Sequence, residues 1–451
     1  MKSKSMCTTV GLIAMCLAGS AAAAGKPLYQ TGPALSRSAT ATAAAEPSLQ
    51  RLLSAPSTAN AQVVQLDAGA VTASEKLLEL QLDGQAITAT QAKVDALEDG
   101  DSVWYGNLGP RAGTRARTLS GVDPLNSAIL VRSGDTVTGT IRYAGKLYRL
   151  RPLADGRHVL VQVDEQRMPQ EHPADYSLLP KFDMPGDGRV TAAAASSGSP
   201  ATIRVLVVAT NKAVTAYGGN MQSLVQLAVA EANQGYINSN VGITLQLARY
   251  ETTSYTETGN FTTDLQRFRV TNDGYMDSIH TSRNTYTADV GVIVLDNSSY
   301  CGLASGIGSN AASAFASVYW DCATGYYSFA HEIGHLQSAR HDATNDPSTS
   351  PYAYGHGYRY GNSWRTIMAY DCTSGCPRLN YWSNPNISYN GVPMGNASTA
   401  DNQRVLVNPR PRSPPSVECL LTDPSPARHR KCRAFSATPA RMDRADYRHR
   451  R

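Results

Sequence analysis

Between about Val63 and Pro173, apolar and polar positions alternate in short runs: SAILVRS (127–133), TVTGTIRY (136–143), KLYRLRPL (146–153) and HVLVQVD (158–164). Gly, Asp and Asn bound these runs, and such a pattern predicts a small β-rich domain. Beyond residue 200 the pattern changes. IRVLVVAT (203–210) and ADVGVIVLD (288–296) are near-continuous apolar runs, as expected of strands covered on both faces. Between them, Met221, Leu224, Leu227, Ala228, Ala232 and Tyr236 recur every three or four residues, which predicts a helix over 220–238. GITLQLARYE (242–251) returns to strand alternation. Strand–helix–strand–strand order predicts an α/β sandwich built on a mixed sheet. Two stretches carry no period. Residues 25 to about 60, rich in Ala, Ser and Thr, read as a mobile arm, and 174–200, ending in TAAAASSGSP, read as an exposed, protease-accessible linker.

The chain's two ends change the picture given by composition. Lys2 and Lys4, the apolar run Cys7 to Gly19 and the small residues Ser20 to Ala24 read as a secretory signal over 1–24. The run is well short of a bilayer span, so no membrane anchor is expected. Export makes disulfides the expected state of the remaining cysteines. Cys301–Cys322 and Cys372–Cys376 are the natural local pairs, although spacing alone allows other connectivities. Ser398 is placed to cap a final helix with Asp401 in its first turn. Residues 408–451 then hold seven Pro, no Gly and 11 Lys/Arg against 4 Asp/Glu. They read as a basic binding tail, a disordered end or, the favoured reading, an end translated out of frame. The net charge of +5 over 451 residues sits in these ends, leaving 25–407 mildly acidic. Nucleic acid is therefore not an expected partner.

The chemistry concentrates in FAHEIGHLQSARHD (329–342). On a helix, His331 and His335 stand four residues apart and project from one face, able to share an ion. Glu332 lies beside that face, where its carboxylate can reach a water on the metal. His341 follows six residues after His335 and reaches the same point if the helix stops near Ser338 and the chain turns back. Three neutral imidazoles and one open position suit a catalytic zinc ion. The bland alternative is a histidine-bearing surface helix, but a buried helix in a secreted domain has no other reason to carry three histidines and a glutamate so placed.

HEIGHLQSARHD resembles the HExxHxxGxxHD signature of the metzincin metallopeptidases, and Asp342 after the third histidine is most similar to the reprolysin (adamalysin) branch and its bacterial relatives. TIMAY (366–370) resembles that family's Met-turn. The resemblance spans about residues 201–407 and implies an α/β catalytic domain with a mixed twisted sheet and an active-site helix. It implies zinc on His331, His335 and His341, Glu332 as general base, and Met368 as an apolar floor that does not ligate. AFASVYW (314–320) resembles the family's substrate-binding edge strand, and 25–200 resembles a propeptide holding the β-rich domain. Two positions depart from the pattern. Ser338 replaces the usual glycine of a left-handed turn, and Tyr370 stands where astacins and serralysins carry a tyrosine that can ligate zinc.

The expected protein is a secreted (extracellular or periplasmic) zinc endopeptidase made as a zymogen. It would act on proteins or peptides as a monomer with one catalytic Zn2+, and a structural Ca2+ is allowed. An astacin- or serralysin-like protease using Tyr370 is the nearest alternative; a catalytically weak metal-binding interaction module is another. No cysteine lies between Cys16 and Cys301, so latency cannot use a thiolate; Asp183 in FDMPGD (182–187) is a candidate, though an ordinary turn aspartate is the favoured reading.

Overall fold

The computed structural model describes residues 25–35, 47–109, 121–172 and 201–408. The signal segment, the 174–200 linker with Asp183, and the tail beyond 408 lie outside the described residues.

The described strands between 26 and 163 form one ten-stranded sheet, antiparallel except where Lys26–Pro27 pairs parallel with Leu77–Leu82. The four predicted runs become strands Ser127–Ser133, Thr136–Tyr143, Lys146–Pro152 and His158–Val163, paired in series. The expectation of a mobile arm over 25–60 is corrected for the described residues. Tyr29–Leu35 pairs with Thr58–Leu66, and Pro47–Ser54 is a helix. Small residues dominate the composition there, but Leu28 and Leu49 are fully buried and anchor the segment. Such sparse anchors leave no period to read.

The second sheet is mixed. Its order is Ile243–Thr253, Ala201–Thr210, Val290–Leu295, Phe315–Tyr319 and Gly302–Ala304, the first four parallel and the last antiparallel. Phe315–Tyr319 therefore has a neighbour on each side and is not the edge strand it resembled; Gly302–Ala304 is the edge. The Cys301–Cys322 disulfide joins the residues flanking this hairpin, and Cys372–Cys376 closes a second loop.

The helix Met221–Asn238 begins where the pattern places it, with the Asn220 side chain accepting from the Ser223 N–H. Its burial exceeds an amphipathic stripe. Leu224, Val225 and Ala228 pack on the mixed sheet, while Leu227 and Ala230 pack against Val103, Tyr105 and Val131 of the ten-stranded sheet. The last helix, Asn402–Val407, is capped by Asp401 accepting from Arg404, not by Ser398. Among the described residues no helix is long and apolar enough to cross a membrane.

Arginines finish the junction between the two sheets. Arg142 pairs with Glu165 and donates to the Tyr327 hydroxyl and the Gly325 carbonyl, and Arg149 pairs with Asp321. Glu231, on the central helix, accepts from the Gly325 N–H at this junction. Burial pushes its carboxyl up to about 7, against the opposing pull of Arg142 and Arg149. The folded chain thus holds this proton more tightly than the unfolded chain. Its contribution to stability is present at low pH and is lost as pH rises from about 4.5 to about 7, by roughly 3 kcal/mol. Urea denaturation of Glu231→Gln is expected to lose that pH slope and to exceed the parent in stability above pH 7.

Candidate metal centre

The histidine motif folds as a short helix, Ser328–Leu336, in which every residue is buried. It stops in a Schellman arrangement: the Ala339 N–H reaches the Gly334 carbonyl at 2.9 Å, and the Ser338 N–H reaches His335 at 2.9 Å. Ser338 takes the left-handed position, φ 77°, which glycine normally fills. The turn sends the chain back so that His341 returns to the face bearing His331 and His335. The predicted helix stop is thus present, with the strain that a β-carbon brings.

The Nε2 atoms of these three histidines meet at one point. His331–His335 and His335–His341 lie at 3.0 Å, and His331–His341 at 3.2 Å. A fourth imidazole joins them. His172, from the end of the N-terminal region, places its Nε2 2.9 Å from that of His331 and 3.2 Å from that of His335. The other ring nitrogens face protein acceptors: Nδ1–H of His172 donates to Gly302, of His331 to Ile367 and of His335 to Ala339. Those bonds select the tautomer whose Nε2 lone pair points at the common centre. Four nitrogens ligating zinc tetrahedrally at about 2.0 Å would stand about 3.3 Å apart. The observed spacings approach that, so the donor set fits such an ion.

Burial sets the charge states. It holds His331, His335 and His341 well below the ordinary imidazole range, and it pushes His172 down to about 3. All four rings are neutral, the form that ligates. Burial also raises the Glu332 carboxyl well above the usual range, reinforced by Glu171. Neither Glu332 oxygen has a hydrogen-bond partner, and Oε1 lies 3.6 Å from His172 Nε2. A cation and its water would answer both features, since positive charge opposes the rise in pKa. Gly302 makes the room: a β-carbon there would lie 2.5 Å from Glu332 Oε1.

Met368 is fully buried, with its Sδ against the histidine-bearing helix at Gly334. Gly334 lets it approach, since a β-carbon on that residue would stand 2.5 Å from the Trp382 ring and 3.1 Å from Met368 Sδ. Asp342 ties the returning loop to this turn by accepting from the Tyr370 N–H at 3.0 Å and pairing with Arg359. The Tyr370 ring lies 4.4 Å from that of His341, but the fourth nitrogen at the centre is His172's.

Residues 199–383 match the family model described as metallo-peptidase family M12. A "Peptidyl-Asp metalloendopeptidase" of Xanthomonas campestris pv. campestris is 93% identical over 408 residues, 90% of this chain and 98% of that protein. The chain belongs to the M12 metallopeptidases. A relative of the same name from Stenotrophomonas maltophilia (strain R551-3) is 67% identical over 90% of this chain and 98% of its own length. Another, from Pseudomonas fragi, is 61% identical over 40% of this chain and 94% of its own length. The chain is a metzincin-like metallopeptidase, as its motifs implied.

The sequence reading of this peptidase missed four neighbours of the centre: Glu171, His172, Ser328 and Arg378. Glu171 accepts from Ser328 Oγ at 3.0 Å and pairs with the Arg378 guanidinium. The signal available was slight: an Glu-His pair beside the patternless linker, in a chain with only 9 histidines.

Two variants test this geometry. Ser338→Gly removes the left-handed strain and is expected to raise stability by up to about 1 kcal/mol in urea titrations, part of the gain being offset by a freer unfolded chain. Gly334→Ala is expected to push the helix off its Met368 floor. Competition with a chelator should then show metal affinity lowered by at least about tenfold.

Proposed function

We propose that this chain is a secreted zinc endopeptidase, made as a zymogen, that hydrolyses proteins at bonds flanked by aspartate. The carrying observation is the convergence of His331, His335 and His341 Nε2 atoms with the unpartnered Glu332 carboxylate beside them. The substrate preference follows the name shared by the relatives. Three histidines from the active-site helix and its returning loop would hold the zinc ion. Zinc, when bound, supplies a Lewis acid that polarises a peptide carbonyl and acidifies a water. Glu332 takes the proton of that water on a carboxylate oxygen and returns it to the departing amine nitrogen. Its buried position excludes competing proton donors, and Met368 holds the imidazoles from below without ligating. Tyr370, packed on His341, stands at the rim as a supporting group.

Residues 1–24 would be the signal peptide and 25–200 the propeptide, with 201–407 the catalytic domain of a monomeric enzyme free of any membrane anchor. Two disulfides in the catalytic domain favour an oxidising destination. The zymogen reading is supported by His172, which closes the position that a catalytic centre must leave open. The His-Asp pair and the His172 contact favour this reading over one in which Tyr370 is the extra ligand.

Glu332→Gln is expected to keep bound zinc, measured by atomic absorption, while casein cleavage falls at least about 100-fold. Parent-like cleavage by the variant would overturn the assignment of Glu332. Chelation should abolish activity of the parent, and mass spectrometry of casein fragments should show termini beside aspartate.

A further inference from the structure

Arg378 is fully buried beside the metal centre, on the far side of the His331 ring from Nε2, with a guanidinium nitrogen 2.6 Å from His331 Nδ1. Its guanidinium donates to the Ile367 carbonyl, the same atom that fixes His331 Nδ1, and to the Tyr326 carbonyl at 2.6 Å. It also stands over the Tyr326 ring, 5.0 Å from the centroid. Among the described residues, the carboxylate paired with it is Glu171, outside the catalytic domain. A buried guanidinium normally keeps a partner of its own, because leaving it uncompensated is strongly unfavourable. Here the catalytic domain supplies carbonyls and a ring, and the pro-segment supplies the anion.

The pro-segment lies against the edge of the mixed sheet. Cys301 and Gly302, at the edge strand, donate their N–H groups to the carbonyls of Gln170 (2.8 Å) and Glu171 (3.1 Å). These contacts hold the segment's backbone against the edge of the sheet, where an extended peptide can be received. The next residue, His172, reaches the metal centre, while Glu171 sends its carboxylate to Arg378 and Ser328. One residue step, about 3.8 Å between α-carbons, therefore separates the group at the metal from the group in the arginine pocket.

We propose that Arg378, with Ser328, is the receptor for the acidic side chain of the substrate, and that Glu171–His172 is a built-in plug occupying this receptor and the open metal position together. The inference rests on the endopeptidase reading above. A planar guanidinium backed by a hydroxyl matches a carboxylate and leaves a neutral amide poorly paired. Aspartate and glutamate fit; asparagine does not. His172 offers an imidazole where a substrate offers a carbonyl, so the plug presents no bond for cleavage at the metal. The two contacts reinforce each other because one short segment makes both.

Three measurements test the proposal. In the first, full-length Glu332→Gln protein, unable to process itself, is loaded with Co2+. Its visible spectrum is expected to be insensitive to added acetohydroxamate, and adding His172→Ala should make it responsive while the thermal transition stays cooperative. A parent precursor that responds as the variant does would overturn the plug. In the second, the self-processed protein is given peptide pairs differing only in Asp against Asn. The ratio of kcat/KM values is expected to be at least about 100-fold for the parent, near unity for Arg378→Gln and intermediate for Arg378→Lys. An active Arg378→Gln enzyme with an unchanged ratio would overturn the receptor. The third serves if Arg378 variants do not fold: the peptide acetyl-Pro-Gln-Glu-His-Pro-amide should inhibit the processed parent at least about tenfold better than its Gln-for-Glu analogue. Equal inhibition would also overturn it. Failure of the processed parent to cleave any peptide would instead count against the endopeptidase reading.

Discussion

Four buried imidazole nitrogens held about 3 Å apart are the constraint around which this molecule is arranged. Four lone pairs aimed at one point repel unless a cation sits between them, and neutral rings can be buried at modest cost where imidazolium rings cannot. Each ring must therefore be fixed from behind. Carbonyls of Gly302, Ile367 and Ala339 do this for three of them. Those carbonyls come from the sheet edge, the Met-turn and the chain just past the Schellman turn. The centre thus requires the sheet, the helix and two loops to be in register at once, and the tight approaches at Gly302, Gly334 and Gly357 are local consequences.

Ser338 shows how firmly the surroundings impose that register. A serine in the left-handed region costs about 1–2 kcal/mol over glycine. It persists because both hydrogen bonds that end the helix, and the return of His341, depend on that one φ. The surrounding core outweighs the strain, so the departure from the family's glycine affects stability more than site geometry.

How much of this was legible depends on whether the signal was local. HExxH places two histidines on one helical face by period alone, and the returning third needs only a helix stop, so the convergence of these three rings could be read directly. The apolar runs of the mixed sheet and the alternating runs at 127–164 likewise announced their strands. The edge of the sheet could not be read, because strand order depends on pairing across the chain: Gly302–Ala304 is too short and too bland to declare itself. Leu28 and Leu49 hid within small-residue stretches for the same reason. That His172 and Arg378 both come to this centre could not be read, since 206 positions separate them and nothing in the intervening pattern points from one to the other.

The central helix links these observations. Helix Met221–Asn238 was expected to bury one stripe, yet 15 of its 18 residues are buried, since the ten-stranded sheet covers the face that the mixed sheet leaves. The N-terminal region is thus attached by an apolar contact and by the buried arginines 142, 149 and 151, far more than the proposed two-residue plug would need for itself. In the proposed zymogen that excess would have a physical role. A dipeptide on a flexible leash would exchange with water and substrate at the metal; the same dipeptide at the end of a docked sheet keeps a high local concentration and little freedom to lose. In the proposed zymogen, latency would be set by the whole interface, with His172 and Glu171 as its narrow tip. Cutting the chain in the linker would not by itself open the site, because the docked sheet holds the tip in place until the interface separates.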